Sequence, residues 1–256
     1  MTRIITVVSG KGGVGKTSIA TNLAAAIQGF GRDVILIDGN ITTPNVSLHL
    51  GLAGAKQTLH DVLRGTADIK DVIYLHPPTK MKVVPAGLGL KDLKSSINTS
   101  KIEESVNSLI GSTDYIIIDA SAGLGKEAKY AIEAGDEVIV VTNPELPAVT
   151  DALKAVEIAR RAGKSPIGVI VNKVTGKSFE LKPENVASFL DLGILGVVPD
   201  DHTLRQSLNL YTPVVASFPD SDVAVELKKI AAKLVGVDYT PKKKGMLWNL
   251  MKLFRQ

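Results

Sequence analysis

The sequence predicts an α/β protein: a mostly parallel central sheet with helices on both faces, in three layers. Three observations lead there. Short, largely apolar runs recur at 4–8, 34–37, 82–84, 115–118, 138–141, 168–171 and 195–198. Helical runs lie between them, at 18–27, 102–109, 126–133, 149–162, 183–190 and 223–234. The first strand passes into the first helix through a glycine-rich loop. Strands buried on both faces read as continuous apolar runs, and strands alternating with helices build parallel sheets.

The loop is Ser9-Gly10-Lys11-Gly12-Gly13-Val14-Gly15-Lys16-Thr17, which fits G-x-x-x-x-G-K-T from Gly10 to Thr17. Glycines let the backbone curl so that successive N–H groups converge on a phosphate. The helix that begins near Ser18 adds its positive end at the same place. Lys16 supplies a full charge to the outer phosphates, and the Thr17 hydroxyl suits Mg²⁺. Residues 10–18 are thus expected to bind a nucleoside triphosphate. Lys11 is a second cation early in the loop. It reads either as a solvated surface lysine or as one that reaches a phosphate from outside the site, in the manner of an arginine finger.

The second strand ends in Asp38-Gly39-Asn40. A carboxylate at the C-terminal end of such a strand faces the ligand crevice. Asp38 is a candidate for the Mg²⁺ region, for holding a loop lysine in the resting state, or for a plain turn cap. Residues 42–50 read as a first switch loop or, at Pro44-Asn45, as an ordinary turn. The run 115–118 followed by Asp119 presents a second carboxylate near Mg²⁺. Ala120-Ser121-Ala122-Gly123 after it is small enough for a backbone N–H to approach a γ-phosphate and withdraw. Later strands end at Asn172-Lys173 and at Pro199-Asp200-Asp201. Asn172 offers a donor and an acceptor, while Asp200 or Asp201 also reads as a helix N-cap. The four histidines show no ligand spacing and are expected to be surface or packing residues.

These motifs resemble the deviant Walker A ATPases, whose loop reads K-G-G-x-G-K-[ST], and within them the MinD septum-site ATPases. The resemblance rests on the Lys11-bearing loop, on Asp119-x-Ser121-Ala122-Gly123, on Thr142-Asn143-Pro144-Glu145, on Pro199-Asp200 and on the C-terminal tail. It implies an ATP-dependent homodimer in which Lys11 reaches the partner's ATP. It also implies that Asn172, Pro199 and Asp200 lie around adenine. Two departures matter. The family usually reads D-x-D where this chain has Asp38-x-Asn40, and the second Asp positions the attacking water. An amide carries no charge and takes no proton, so Asn40 predicts slow hydrolysis and a long-lived ATP state. Serine stands at 121 where the usual pattern has proline.

Composition bounds the remaining choices. With 256 residues and no cysteine, the chain needs no disulfides and has no thiolate for a metal or an iron–sulfur cluster, so a cluster carrier is set aside. The first strand begins at once, leaving no room for a signal peptide, and no 18-residue apolar run exists. A cytoplasmic protein is expected. The net charge of +4 is concentrated at the end: residues 241–256 hold five basic residues and no acid, which leaves 25 basic against 26 acidic elsewhere. That near-neutral body does not favour a DNA-partitioning ATPase.

The expected organisation is an ATPase domain over 1–236, a basic linker over 237–245 and an amphipathic helix over 246–256. On a helical wheel Leu247, Leu250, Met251 and Phe254 share one side. Met246, Trp248 and Leu253 flank them, and Asn249 and Lys252 lie opposite. With Lys242, Lys243 and Lys244 leading in, this is the pattern of a helix lying in a membrane interface. Packing on its own domain, or in a partner's groove, is the other reading. Five cations near an anionic leaflet add up to about 5 kcal/mol before screening, at roughly 1 kcal/mol each. A single short helix binds weakly, and two in a dimer bind far better. The chain is therefore expected on the inner face of the cell membrane, together with a protein activator or polar partner. The alternative is an ATP-sensing scaffold that does not hydrolyse.

Overall fold

The computed structural model describes residues 1–89 and 98–241; the tail predicted to bind membranes, 242–256, lies outside the described residues. In chain order the elements are β1 (Arg3–Val8), α1 (Lys16–Gly29), β2 (Val34–Gly39), α2 (Val46–His49), α3 (Leu59–Arg64), β3 (Tyr74–Leu75), β4 (Lys82–Val84), α4 (Ile102–Asn107) and β5 (Tyr115–Ala120). They continue with α5 (Lys126–Ala134), β6 (Glu137–Thr142), α6 (Leu146–Arg161), β7 (Ser165–Val174), α7 (Pro183–Leu190), β8 (Ile194–Pro199), α8 (His202–Asn209), α9 (Val214–Ser217) and α10 (Asp222–Val235).

The eight strands form one sheet in the order β3-β4-β2-β5-β1-β6-β7-β8. Among the described residues only β3 runs antiparallel, beside β4. Successive residues of each strand feed opposite faces. Ile4, Val8, Ile35, Ile37, Ile116, Ile118, Val138 and Val140 enter a core covered by α3 to α7. Ile5, Val7, Leu36, Ile117, Ile139 and Val141 enter a second core under α1, α9 and α10. Because both faces are covered, the central strands read as largely apolar runs.

The topology places the crevice. From β1 the chain runs through α1 to β2 on one side of it; from β5 it runs through α5 to β6 on the other. Connections therefore diverge around β1, and ligands of such sheets bind outside the carboxyl ends of the strands at that point. The ends of β1, β2, β5, β6 and β7 all open there. Asp38 and Asp119 are register partners on β2 and β5. Each follows a core residue two positions earlier, Leu36 and Ile117, on the α1 face, so both carboxylates point to the side from which α1 starts.

Candidate functional site

Residues 9–15 curl between β1 and α1. Gly13 and Gly15 have φ of 81° and 93°, the left-handed region that side chains avoid. Gly15 stands at the N-cap of α1, and no side chain closes that end of the helix. The first-turn N–H groups are thus left for an anion. The loop is walled in. A Cβ at Gly10 would lie 2.0 Å from the Asp151 carbonyl on α6, and one at Gly15 would lie 2.3 Å from Asn172 Nδ2. Gly123 N–H donates to the Ser9 carbonyl at 3.1 Å, joining the loop after β5 to the start of the phosphate loop.

Asp119 is the centre of the site. It is fully buried, and Lys16 is only 5% exposed. Lys16 Nζ lies 2.5 Å from Asp119 Oδ1, and Thr17 Oγ1 donates to Asp119 Oδ2 at 2.7 Å. One carboxylate thus holds both the cation and the hydroxyl of the loop. The resting lysine is therefore kept by Asp119 and not by Asp38, one of the roles read for Asp38 from sequence. Of the two acid-bearing strands, β5 adjoins β1, whereas β2 is one strand further away. Asp38 instead accepts backbone N–H from Asn40 at 3.2 Å and from Val46 at 3.1 Å, tying α2 to the end of β2.

Burial, with the Asp119 charge second, pushes the Asp38 carboxyl up to about 8, although two N–H donors and Lys16 pull the other way. The folded chain therefore keeps a proton that the unfolded chain releases near pH 4. That contribution is complete below the unfolded value and is lost as pH rises through about 8. Two histidines, His49 and His76, are lowered chiefly by burial and act only below their ordinary range. Between pH 7 and 8 the nucleotide-free protein should lose stability with a slope of at most about 1.4 kcal/mol per pH unit, and Asp38→Asn should flatten that slope. Thermal unfolding of both proteins across this window measures it; an equal slope in the variant would mean that Asp38 is ionised throughout.

Asn40 is buried, and its amide closes on Thr43: Nδ2 donates to the Thr43 carbonyl at 2.5 Å, and Oδ1 accepts from Thr43 Oγ1 at 3.1 Å. The predicted switch over 42–50 is partly helical, with α2 occupying its second half. Lys11 is exposed. Asn172, read as an adenine contact, donates through Nδ2 to the Val14 carbonyl at 2.7 Å and so braces the loop. Pro199 closes β8, Asp200 N–H donates to the Val174 carbonyl at 3.0 Å, and the cap of α8 is Asp201, which accepts from Thr203 N–H at 2.8 Å. Of the histidines, His60 and His76 are buried in packing roles.

Lys173 and Glu127, which sequence reading missed, belong to the site, as does Asn143, quoted there only within the Thr142–Glu145 match. Lys173, at φ 60°, donates to the Gly13 carbonyl at 2.6 Å, a role no local pattern signals. Asn143 Oδ1, at the end of β6, is buried without a partner among the described residues. Glu127 on α5 bonds to the loops after both β2 and β5. Thr17 with Asp38 and Asp119 offers hard oxygen donors, the set that suits Mg²⁺ and not a soft metal. No group of three His, Cys, Asp or Glu forms a metal site among the described residues, so a cation here would also need the oxygens of a phosphate ligand.

An anion-ready loop, a parked lysine and two strand-end carboxylates at the switch point define a P-loop NTPase. The chain belongs to the ParA family of P-loop NTPases: the family model described as "ParA: NUBPL iron-transfer P-loop NTPase" matches residues 1–235. An uncharacterized ATP-binding protein of Methanocaldococcus jannaschii is 43% identical over 235 residues, covering 92% of this chain and 88% of the relative. The septum site-determining protein MinD of Synechocystis is 33% identical over 244 residues, covering 93% and 91%. The structure of MinD from Pyrococcus horikoshii, complexed with Mg-ADP, superposes with a TM-score of 0.88 at 36% identity over 91% of this chain and 96% of that one.

Proposed function

We propose that the chain is a MinD-type ATPase switch, which takes ATP in the glycine loop, pairs with a second copy and then rests on an anionic membrane surface through residues 242–256. The observation that carries the reading is the double contact of Asp119. Lys16 and Thr17, the side chains that a triphosphate and its cation would claim, are both held on one carboxylate and positioned for exchange. Phosphate oxygens entering the loop would meet the open first turn of α1 and draw Lys16 from Asp119. Magnesium, when bound with ATP, would be held by Thr17 with Asp119 and Asp38, and would screen the phosphate charge.

Asn40 would orient the attacking water through its amide oxygen without taking a proton, which makes turnover slow. Lys11, exposed on the loop, is free to reach a partner's nucleotide. A relative solved with Mg-ADP and a relative named for septum-site determination support this class. Placement of a division site or of another polar structure, by a protein that is cytoplasmic when unpaired, follows from that likeness. The closure of Asn40 onto Thr43 supports one second reading, an ATP-sensing scaffold with no turnover.

Mass in solution tests the proposal, combined with sedimentation on anionic vesicles. With Mg·ATP the chain should double its mass and bind vesicles, and with Mg·ADP it should do neither. Removal of residues 242–256 should abolish vesicle binding and leave the ATP-dependent dimer. A chain that stays monomeric under saturating Mg·ATP would overturn the reading.

A further inference from the structure

Two loops flank the site on the β2 and β5 sides, one after each strand, and strand-end loops of nucleotide switches can be ordered by a γ-phosphate. Here they are not independent. Glu127 lies in the first turn of α5. One carboxylate oxygen accepts from the Thr42 hydroxyl. The other accepts from Thr42 N–H at 3.3 Å and from Ser121 Oγ at 2.7 Å. Ser121 Oγ also lies 3.5 Å from the Gly39 carbonyl, at the end of β2. One carboxylate therefore spans both loops, with a hydroxyl from each and a backbone N–H from the first.

An acid in the first turn of a helix is ordinarily explained by the helix dipole. That explanation needs no bond to either loop, and it leaves three donors converging on this carboxylate unaccounted for. Ser121 sharpens the point. The related pattern carries proline here, which has no side-chain donor. The serine of this chain gives the second loop a hydroxyl, and that hydroxyl is spent on Glu127.

We propose that Glu127 is a positioning residue that ties the loops at Thr42 and Ser121 into one moving unit. A displacement of the 121–123 segment toward a γ-phosphate then carries Glu127 and Thr42 with it, and the reverse holds on release. The coupling is local and reciprocal, as linkage requires. It rests on the reading of the chain as an ATP-driven switch only for its trigger; the clasp itself is the set of hydrogen bonds described above.

Amide hydrogen exchange on the full chain tests the two parts separately. Without nucleotide, S121A removes one hydroxyl from the second loop and should speed exchange at Thr42, in the first loop, about threefold or more. E127Q should speed it about tenfold or more and should also loosen 121–123, since a hydrogen bond to a charged group is worth at least a factor of ten. Unchanged exchange at Thr42 in both variants would overturn the proposal. On titration with Mg·ATP, residues 40–46 and 121–123 of the wild type should respond at one midpoint, and in S121A their midpoints should separate. Two midpoints already present in the wild type would also overturn it. If ATP moves neither segment in the wild type while the nucleotide-free result stands, the clasp survives and the ATP-switch reading fails.

Discussion

Asp119→Ala is expected to cost the nucleotide-free protein about 3–5 kcal/mol, because the change strands a buried charge. Lys16 is 5% exposed, and its ammonium would keep no partner; Thr17 Oγ1 would lose its acceptor as well. Some relief comes from Asp38, whose carboxyl is raised partly by the Asp119 charge. The low end of the range is therefore the expectation, a fall in Tm of roughly 6–12 °C for a domain of this size. The same argument fixes the sign of a second effect. A triphosphate in the loop would supply the anion that Lys16 has lost, so saturating ATP should raise the Tm of the variant by more than it raises that of the wild type. Lys16→Met added to Asp119→Ala should restore part of the stability, since the two residues form one coupled pair. Thermal unfolding with and without ATP, on the wild type, the single variant and the double variant, measures all three. An equal ATP shift in wild type and single variant would mean that the nucleotide does not take over Lys16.

That the pair is Lys16 with Asp119, and not Lys16 with Asp38, also marks where reading the sequence stops. Both acids end an apolar strand, and nothing local separates their roles. Strand order decides: β5 lies between β1 and β2, so Asp119 reaches the loop and Asp38 reaches Asp119. The glycine loop was legible because its whole mechanism is contiguous. Seven strands were legible because each carries a largely apolar run. The eighth, Tyr74–Leu75, is a two-residue antiparallel edge with no such run, and it was missed. The short helices α2 and α3 were missed for a related reason: four and six residues are too few to display a helical period. Glu127 reaches Thr42, 85 residues away, and Lys173 reaches Gly13, 160 residues away. Their local context reads as a helix start and a strand end, so only the packed chain assigns them.

Asn40→Asp is the substitution on which structure and resemblance pull in opposite directions. A carboxylate at 40 restores the second acid of the D-x-D pattern and could hold and orient water with a full charge. The same carboxylate cannot reproduce the closure seen here. Asn40 Nδ2 donates to the Thr43 carbonyl at 2.5 Å, and an ionised Asp would place an oxygen against that carbonyl in a buried position two residues from Asp38. The loop must then open, or the new acid must hold a proton. Either course should cost the nucleotide-free protein about 1–3 kcal/mol, the usual penalty for an unmade buried hydrogen bond. Because the penalty falls on the resting loop, it lowers the barrier to leaving that state. We therefore expect Asn40→Asp to lower the Tm without ATP by several degrees and to raise the ATP turnover number about tenfold or more. Turnover and unfolding measured on one preparation separate the two effects. A lower Tm with unchanged turnover would confirm the Asn40–Thr43 closure and remove Asn40 as the limit on hydrolysis. Faster turnover with an unchanged Tm would show that the closure contributes little and that charge alone sets the rate.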